Sequence, residues 1–593
     1  MSPLPPAVEQ VQLVLLDRGP TPVDELLVAL RASGFVMTAE RLALLPDRFP
    51  ERFQLDPAGR LRLRAAERAA VEDSVFVEEA PTRLVQFEAL PRLDPADVYV
   101  LDVETTGLSK DSDHIWEIGV VRLTGEVVLD LQVVLPEGLE APIQRSPQPN
   151  LSIGEALALL SSALGSASAL VGQNIVGFDL PFLRRAAGLH GVALRFPECI
   201  IDLIDLSVLT HPDLGSRRLD ELCDLVHVVN PSAHRAVPDA RATAEVAARL
   251  IESVDPDDPS WTLCLALLGA GGHPLARVLP LPSSPVSPAR SLIARDDPLI
   301  TGGSATGADP FLFAREALKA LKAAGFKDRP AQSEMLMRIT SVLDAGGDLA
   351  VEAPTGTGKS LAYLLAASAR NGRSGRPVVL ATHTKNLQQQ LRVDAEQLRS
   401  MGLLDVPFRQ IQGVSNYICA REVAAQIEEH DDGTSWFALA VAARALATSA
   451  LGTWDDVSDD VVRRRDVHYL RTRLALRTTA VGCDRGSCEW RRSCPLLKRL
   501  EGLDKNPGLL SVNHAVVASW VKAVRDGRRA PGDVLEDGRA AIIWRRISAR
   551  GPGNPGAPLE DMIEVMLNRR SRWFTAISCT IIPPIDAPTT CAC

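Results

Sequence analysis

Residues 98–108 read Val-Tyr-Val-Leu-Asp-Val-Glu-Thr-Thr-Gly-Leu, an apolar run that carries two acids, Asp102 and Glu104. On a β-strand, side chains alternate between faces, so residues two apart share one. Both carboxylates therefore point the same way from an otherwise apolar strand. Two like charges buried together are costly unless something neutralises them, and a divalent cation does so. The plainer alternative is a strand end with two solvated acids.

Further acids lie at useful places. Gly172-Gln173-Asn174-Ile175-Val176-Gly177-Phe178-Asp179 runs into Leu180-Pro181-Phe182-Leu183, and His234-Arg235-Ala236-Val237-Pro238-Asp239-Ala240 opens a helical run. In order and spacing, residues 96–252 resemble the three motifs of the DnaQ-like 3′→5′ exonucleases, in the DEDDh subgroup with a histidine in its third motif. Gln173 departs from the histidine that many members carry there, at a position that does not bind metal in the family. The resemblance implies a ribonuclease H-like fold. It also implies a two-metal site in which Asp102, Glu104, Asp179 and Asp239 hold Mg²⁺ or Mn²⁺ and His234 is the general base. Hydrolysis of a phosphodiester suits such a set: two cations about 4 Å apart act on the attacking and leaving oxygens, hard cations take oxygen ligands, and an imidazole with an unperturbed pKa of about 6.5 can deprotonate water near neutrality. Taken alone, His234 would read as an ordinary surface histidine. Its place five residues before Asp239 reverses that.

A chain of 593 residues has room for three or four domains. No apolar run approaches the roughly 18 residues of a membrane span. The start, Met1-Ser2-Pro3-Leu4-Pro5-Pro6, lacks a basic and then apolar signal region, so a cytoplasmic location is expected. Ten cysteines in such a protein suggest metal ligands or buried thiols rather than disulfides. A formal net charge of −10 does not announce nucleic-acid binding, but local patches matter more, and a metal-dependent nuclease carries its own acids.

Taken in order, residues 1–85 are expected to hold a small winged-helix-like domain. Val8–Leu15, Val23–Ala32 and Thr38–Leu45 have helical spacing, and two alternating segments flank an Asp56-Pro57-Ala58-Gly59 turn. Such a domain could bind DNA or mediate contacts between proteins. The nuclease domain is expected over 95–255. Its strands would be Ile115–Leu123 and Glu126–Leu135, joined by a Thr124-Gly125 turn, then a helix at Ile153–Leu164 and a strand at Ala169–Gln173. Residues 271–310, rich in Pro, Ser and Gly, are expected to form a flexible linker that isolates the nuclease mechanically.

A second catalytic region is expected over 311–543. Glu352-Ala353-Pro354-Thr355-Gly356-Thr357-Gly358-Lys359-Ser360 follows an apolar strand and precedes a helical run, which is the setting of an ATP-binding phosphate loop. The glycines would let the backbone amides at Gly356, Thr357 and Gly358 face the β-phosphate, Lys359 would neutralise the β/γ-phosphates, and Ser360 would hold Mg²⁺. Arg329-Pro330-Ala331-Gln332 resembles the adenine-sensing motif of superfamily 2 helicases, and Val378–Thr384 resembles their motif Ia. Cys419, Cys483, Cys488 and Cys494 follow, the last three spaced C-x4-C-x5-C, within an insertion over about 415–500. Four thiolates can hold an iron–sulfur cluster or zinc, or remain unliganded core thiols. The looser spacing and the Ser415-Asn416-Tyr417 context resemble the [4Fe–4S] domain of DinG-like helicases, relatives of XPD. Arg463, Arg464, Arg465, Arg471, Arg473, Arg477, Arg485, Arg491 and Arg492 could line a single-strand path, or simply form a solvated surface.

Leu509–Ala515 resembles the stretch before the ATPase acids, and Ala540–Ile543 the strand that should end in Asp-Glu-Ala-His. Trp544-Arg545-Arg546-Ile547-Ser548 stands there instead. These five residues can be encoded TGG-AGG-CGC-ATC-AGC, which read two nucleotides later gives Glu-Ala-His-Gln, so residues 544–593 are compatible with a shifted reading frame. The α/β architecture implied is a winged-helix-like domain, a ribonuclease H-like exonuclease, and a partial RecA-like helicase domain with an iron–sulfur insertion, truncated before its DEAH box. The expected activity is degradation of DNA from single-stranded 3′ ends, in repair or replication and alongside proteins of those processes, with the motor inactive. Two rivals are a DNA-binding protein with an idle nuclease and an aberrant product of a complete exonuclease-helicase.

Overall fold

The computed structural model describes most of residues 21–64 and 91–520, together with 541–547, 575–582 and a few positions before residue 91. Thr355, His383, Arg463, Arg464, Arg465, Arg485, Ala515, Ala540 and most of 548–593 lie outside the described residues. Residues 1–83 and 287–290 make one compact unit and the remainder another.

In the first unit, helices α1 (Val23–Ala32), α2 (Ala39–Ala43) and α3 (Leu45–Arg48) accompany strands β1 (Phe53–Leu55) and β2 (Leu61–Leu63). Thr38 caps α2 through its side chain. The strands pair antiparallel, Phe53 opposite Leu63, across the Asp56–Gly59 turn, and Thr21 bridges to Leu61. Val8, Val11, Leu15, Leu26, Leu30, Leu42 and Phe53 form its core.

The expected nuclease segment is a mixed sheet, in the order β6-β5-β4-β3-β7-β8 among the described residues. Its strands are β3 (Val98–Thr105), β4 (Ile115–Arg122), β5 (Val127–Val133), β6 (Asn150–Leu151), β7 (Ala169–Gly172) and β8 (Cys199–Asp202). The β4–β5 hairpin turns through Gly125 at φ +91°, a conformation that glycine adopts freely. Leu101 and Val103 of β3 pack with α4 (Ile153–Leu164) and α5 (Asp179–His190). A capping box starts α4: Ser152 Oγ accepts from the Glu155 amide while Glu155 accepts from the Ser152 amide at 2.9 Å. Then come α6 (Leu203–Thr210), α7 (Leu219–Val226), α8 (Ala236–Glu252) and α9 (Pro259–Ala270).

The expected motor segment has a parallel sheet in the order β11-β12-β10-β13-β14-β9 among the described residues. Here β9 is Leu349–Pro354, β10 Val378–Thr382, β11 Phe408–Ile411, β12 Leu509–Asn513, β13 Ala541–Ile547 and β14 Thr575–Ile582. Its helices include α10 (Pro310–Ala323), α11 (Pro330–Ala345), α12 (Lys359–Ser374) and α13 (Lys385–Ser400). The insertion carries α14 (Ala420–Glu428), α15 (Trp436–Thr448), α16 (Val467–Ala475) and α17 (Pro495–Leu500). The segment after residue 543 thus supplies two strands: Trp544 and Arg545 continue β13, and β14 inserts between β13 and β9.

Residues 271–310 are not a free linker. Leu275, Leu279, Leu292, Ala294 and Leu299 are buried. Asp297 is buried as well and takes a bidentate ion pair from Arg392 at 2.8 and 2.9 Å, with Arg499 at 3.3 Å. The Leu299 carbonyl accepts from the Phe408 amide at the edge of the motor sheet. Side chains satisfy carbonyls of the Pro-rich stretch, as Arg92 does for Val278 and Leu279. Nor is the nuclease isolated. Helix α9 is apolar on every side, with Trp261 and Leu263–Leu268 buried, and it packs against α15. Arg444 of α15 donates to Leu209 O at 3.0 Å and Ser260 Oγ at 2.6 Å, and its guanidinium lies 3.8 Å from the Trp261 ring centre.

Candidate active site

Strand β3 presents Asp102 and Glu104 on one face, while Leu101 and Val103 face the core. Two helix starts bring the other acids. Asp179 is the first residue of α5, and its carboxylate accepts from the Val103 amide at 3.0 Å, which ties that helix start to β3. Asp239 lies in the first turn of α8, which packs across β3 and β4. Glu104, His234 and Asp239 each offer a ligand atom within 4.8 Å of the others, a grouping that suits a divalent cation.

The local electrostatics fit a bound cation. Burial, then the charges of Asp179, Asp239, Glu104 and Glu117, hold Asp102 well above the usual carboxylate range. Burial pushes Glu104 up to about 7, with Asp239 and Glu117 adding to it and Arg235 opposing. Asp179 is pushed up to about 8 by burial despite its bond from the Val103 amide. Burial also raises Asp239, against the bonds it accepts from Asn230 and the His234 amide. These carboxyls would give up their protons to a cation.

Several contributors were not legible beforehand. Asn230 Nδ2 donates to Asp239 Oδ1, and the His234 amide donates to Asp239 Oδ2 at 3.0 Å. Asp202 is buried and accepts from the amides of Asn174, Val176 and Ile204, which shapes the turn leading to Asp179. Gln173 donates to the Arg217 carbonyl at 2.7 Å, a structural tie. Gly119, opposite Asp102 in the ladder, has no room for a side chain: a Cβ would lie 2.5 Å from the Ala236 carbonyl carbon.

In the motor segment, Gly356 and Gly358 take φ values of +78° and +79°, and α12 starts at Lys359. Arg329 caps α11, while Gln332 donates from Nε2 to Gly358 O at 2.9 Å. Lys359 Nζ donates to Ala353 O at 2.9 Å, and the Ser360 hydroxyl lies 3.3 Å from that of Tyr363. Backbone register places Trp544 and Arg545 of β13 beside Ala381 and Thr382.

Cys419, Cys483, Cys488 and Cys494 all line one cavity, with Tyr417, Ile418, Trp490 and Leu496 among the other residues of its wall. Cys419 and Cys494 stand just before α14 and α17 as N-caps. Burial pushes the Cys419 thiol up to about 11 and raises Cys494. Of the nine arginines, Arg473 is buried and stacks over Trp454, so it lines no strand path. Arg491 and Arg492 are exposed, and Arg471 pairs with Asp431 at 3.1 Å.

Comparison with known proteins separates the two segments. An exonuclease family model (RNase_T) matches residues 143–247, which include Asp179, His234 and Asp239. A DEAD/DEAH box helicase model matches residues 329–426, which include the phosphate loop and Cys419. The chain thus carries one segment similar to exonuclease domains and another similar to DEAD/DEAH box helicases. It is homologous to proteins named 3′-5′ exonuclease DinG. That of Staphylococcus epidermidis is 27% identical over 316 residues, 49% of this chain and 34% of the relative. That of Bacillus subtilis is 25% identical over 362 residues, 56% of this chain and 38% of the relative. The match thus spans little more than a third of either relative. Among solved structures, E. coli Exonuclease I in complex with a dA16 oligonucleotide aligns over 28% of this chain and 43% of its own, at 18% identity and a TM-score of 0.23, too slight a likeness to argue from. No helix among the described residues is long and apolar enough to cross a membrane.

Proposed function

We propose that this protein is a metal-dependent 3′→5′ exonuclease that acts on DNA at single-stranded 3′ ends. The observation that carries it is the meeting of Glu104, His234 and Asp239 beside Asp102 and Asp179, acids brought from three separate segments and raised above the usual carboxylate range first by burial. Asp102, Glu104, Asp179 and Asp239 would hold two Mg²⁺ or Mn²⁺ ions. Bound there, the ions supply Lewis acidity at the attacking and leaving oxygens. His234, exposed at the mouth of the site, takes the proton of the attacking water, with its backbone amide fixed on Asp239. The names of the relatives support the 3′→5′ polarity. The test is an oligonucleotide labelled at its 3′ end or its 5′ end, incubated with Mn²⁺. Early release of labelled mononucleotide from the 3′ label, and a ladder of shortening products from the 5′ label, is expected. Release of mononucleotide first from the 5′ label would reverse the polarity, and no release would leave a DNA-binding protein with an idle nuclease.

We further propose a [4Fe–4S] cluster on Cys419, Cys483, Cys488 and Cys494. Four thiols around one cavity, two of them held protonated by burial, suit a cation that takes thiolates, and zinc is the rival occupant. The phosphate loop at Gly356–Ser360, with Arg329 and Gln332 beside it, would bind ATP without turning it over. The support is that Trp544 and Arg545 stand on the strand beside motif Ia, where the family has its acids. A shifted reading frame after Ile543 accounts for this, and a role in cytoplasmic DNA repair or replication, with proteins of those processes as partners, follows from the resemblance.

A further inference from the structure

Outside the acids already assigned, one more carboxylate lies against the nuclease site. Glu117 of β4 is 1% exposed and stands opposite Glu104 in the β3–β4 ladder. It accepts from Arg235 Nε at 3.0 Å and Nη2 at 2.7 Å, and from the Ala236 amide at 3.0 Å. Glu117 therefore grips the two residues that follow His234, Arg235 and Ala236. His234 itself has φ +66°, in the left-handed region that a residue with a Cβ seldom occupies. Before it, residues 231–233 are exposed.

The clamp and the strained residue belong together. A left-handed histidine persists only where its surroundings over-determine it. Three contacts do so here: the His234 amide on Asp239, the Arg235 guanidinium on Glu117, and the Ala236 amide on Glu117. The missing side chain at Gly119 lets Ala236 and Val237 lie directly on β4, two residues along from Glu117. The side-on hold of Arg235 Nε and Nη2 on the Glu117 carboxylate suits the planar fork of arginine and would not suit lysine.

We infer that Glu117 and Arg235 are positioning residues that preset His234 for proton abstraction, without binding metal or substrate themselves. The inference rests on the proposed nuclease reaction. It differs from a merely structural ion pair in one respect: its effect on kcat must run through His234, whereas any effect of the Glu117 and Arg235 charges on Glu104 would show in the Mn²⁺ requirement.

A double-mutant cycle on the full chain tests this, with kcat, KM for a 3′-labelled single strand, and the Mn²⁺ concentration for half-maximal rate all measured. Arg235→Met should lower kcat about 10²-fold, the scale of a small misplacement of a catalytic group, with KM and the Mn²⁺ requirement near wild type. In a His234→Ala background the same change should have no further effect. Glu117→Gln repeats the cycle with a side chain of the same size, which serves if Arg235→Met folds poorly as judged by its melting curve. Arg235→Lys should recover only part of the loss. Equal factors in the wild-type and His234→Ala backgrounds for both variants would overturn the inference, as would full activity of both. Failure of the nuclease reading itself would show separately, as wild-type protein that releases no nucleotide.

Discussion

At the scale of single residues, the site is a set of carboxyls whose charges the fold alone does not tolerate. A free carboxyl titrates near about 4, whereas Glu104 is pushed up to about 7 and Asp179 up to about 8, both first by burial. The sign follows from proton counting. Between those limits the metal-free fold keeps protons that the unfolded chain has released, so stability falls as pH rises through the window. A divalent cation removes that cost by taking the protons' place. Melting temperatures in EDTA should therefore fall from pH 5 to pH 8, and the increase given by Mn²⁺ should widen over the same range. An increase that stays constant with pH would contradict the reading. The effect should shrink in Asp102→Asn, which removes one of the crowded charges.

At the scale of elements, the placement of α8 on β4 decides whether Asp239 reaches the site. Gly119→Ala puts a Cβ 2.5 Å from the Ala236 carbonyl carbon. It should destabilise the nuclease segment by about 1–3 kcal/mol, as overpacking does, and reduce activity, both readable by denaturant melts and nucleotide release. The insertion offers a second check. Anaerobically purified protein should be brown and hold iron and sulfide, and Cys488→Ser should bleach it. Colourless protein with stoichiometric zinc would replace the cluster by a zinc site. Much of the element pattern was legible in the sequence. Strand Val98–Thr105, the hairpin turning at Thr124-Gly125 and helix Ile153–Leu164 follow from an apolar run, a turn dipeptide and helical spacing, all local signals. Glu117, Gly119, Asn230 and Asp202 were not, because each acts through ladder register or a distant loop, which neither periodicity nor motif spacing encodes. The segment 271–310 was misread for a related reason. Its composition is that of a linker, but Arg92, Arg392 and Arg499 come from elsewhere in the chain to satisfy its carbonyls and Asp297.

At the scale of the whole molecule, the nuclease and the insertion are joined through α9 and α15 rather than tethered by a loose chain. Arg444 is buried there, and burial lowers its pKa. Arg444→Ala loses its bonds to Leu209 and Ser260 and its stacking on Trp261, which should cost about 2 kcal/mol and speed proteolytic cleavage between residues 271 and 310. Unchanged cleavage would mean the junction holds without Arg444. The motor is expected to show no ATP turnover with single-stranded DNA. If the reading frame shifts after Ile543, restoring it should bring turnover back, and turnover by the present chain that Lys359→Ala abolishes would mean that acids elsewhere serve it. The central claim is that acids from three segments act as one metal centre. Its most direct measurement is Mn²⁺-dependent nucleotide release from a 3′-labelled single strand by wild type, Asp102→Ala and Asp239→Ala side by side. The account predicts release by the wild type that EDTA stops, and none by either variant; near wild-type release by both variants would contradict it.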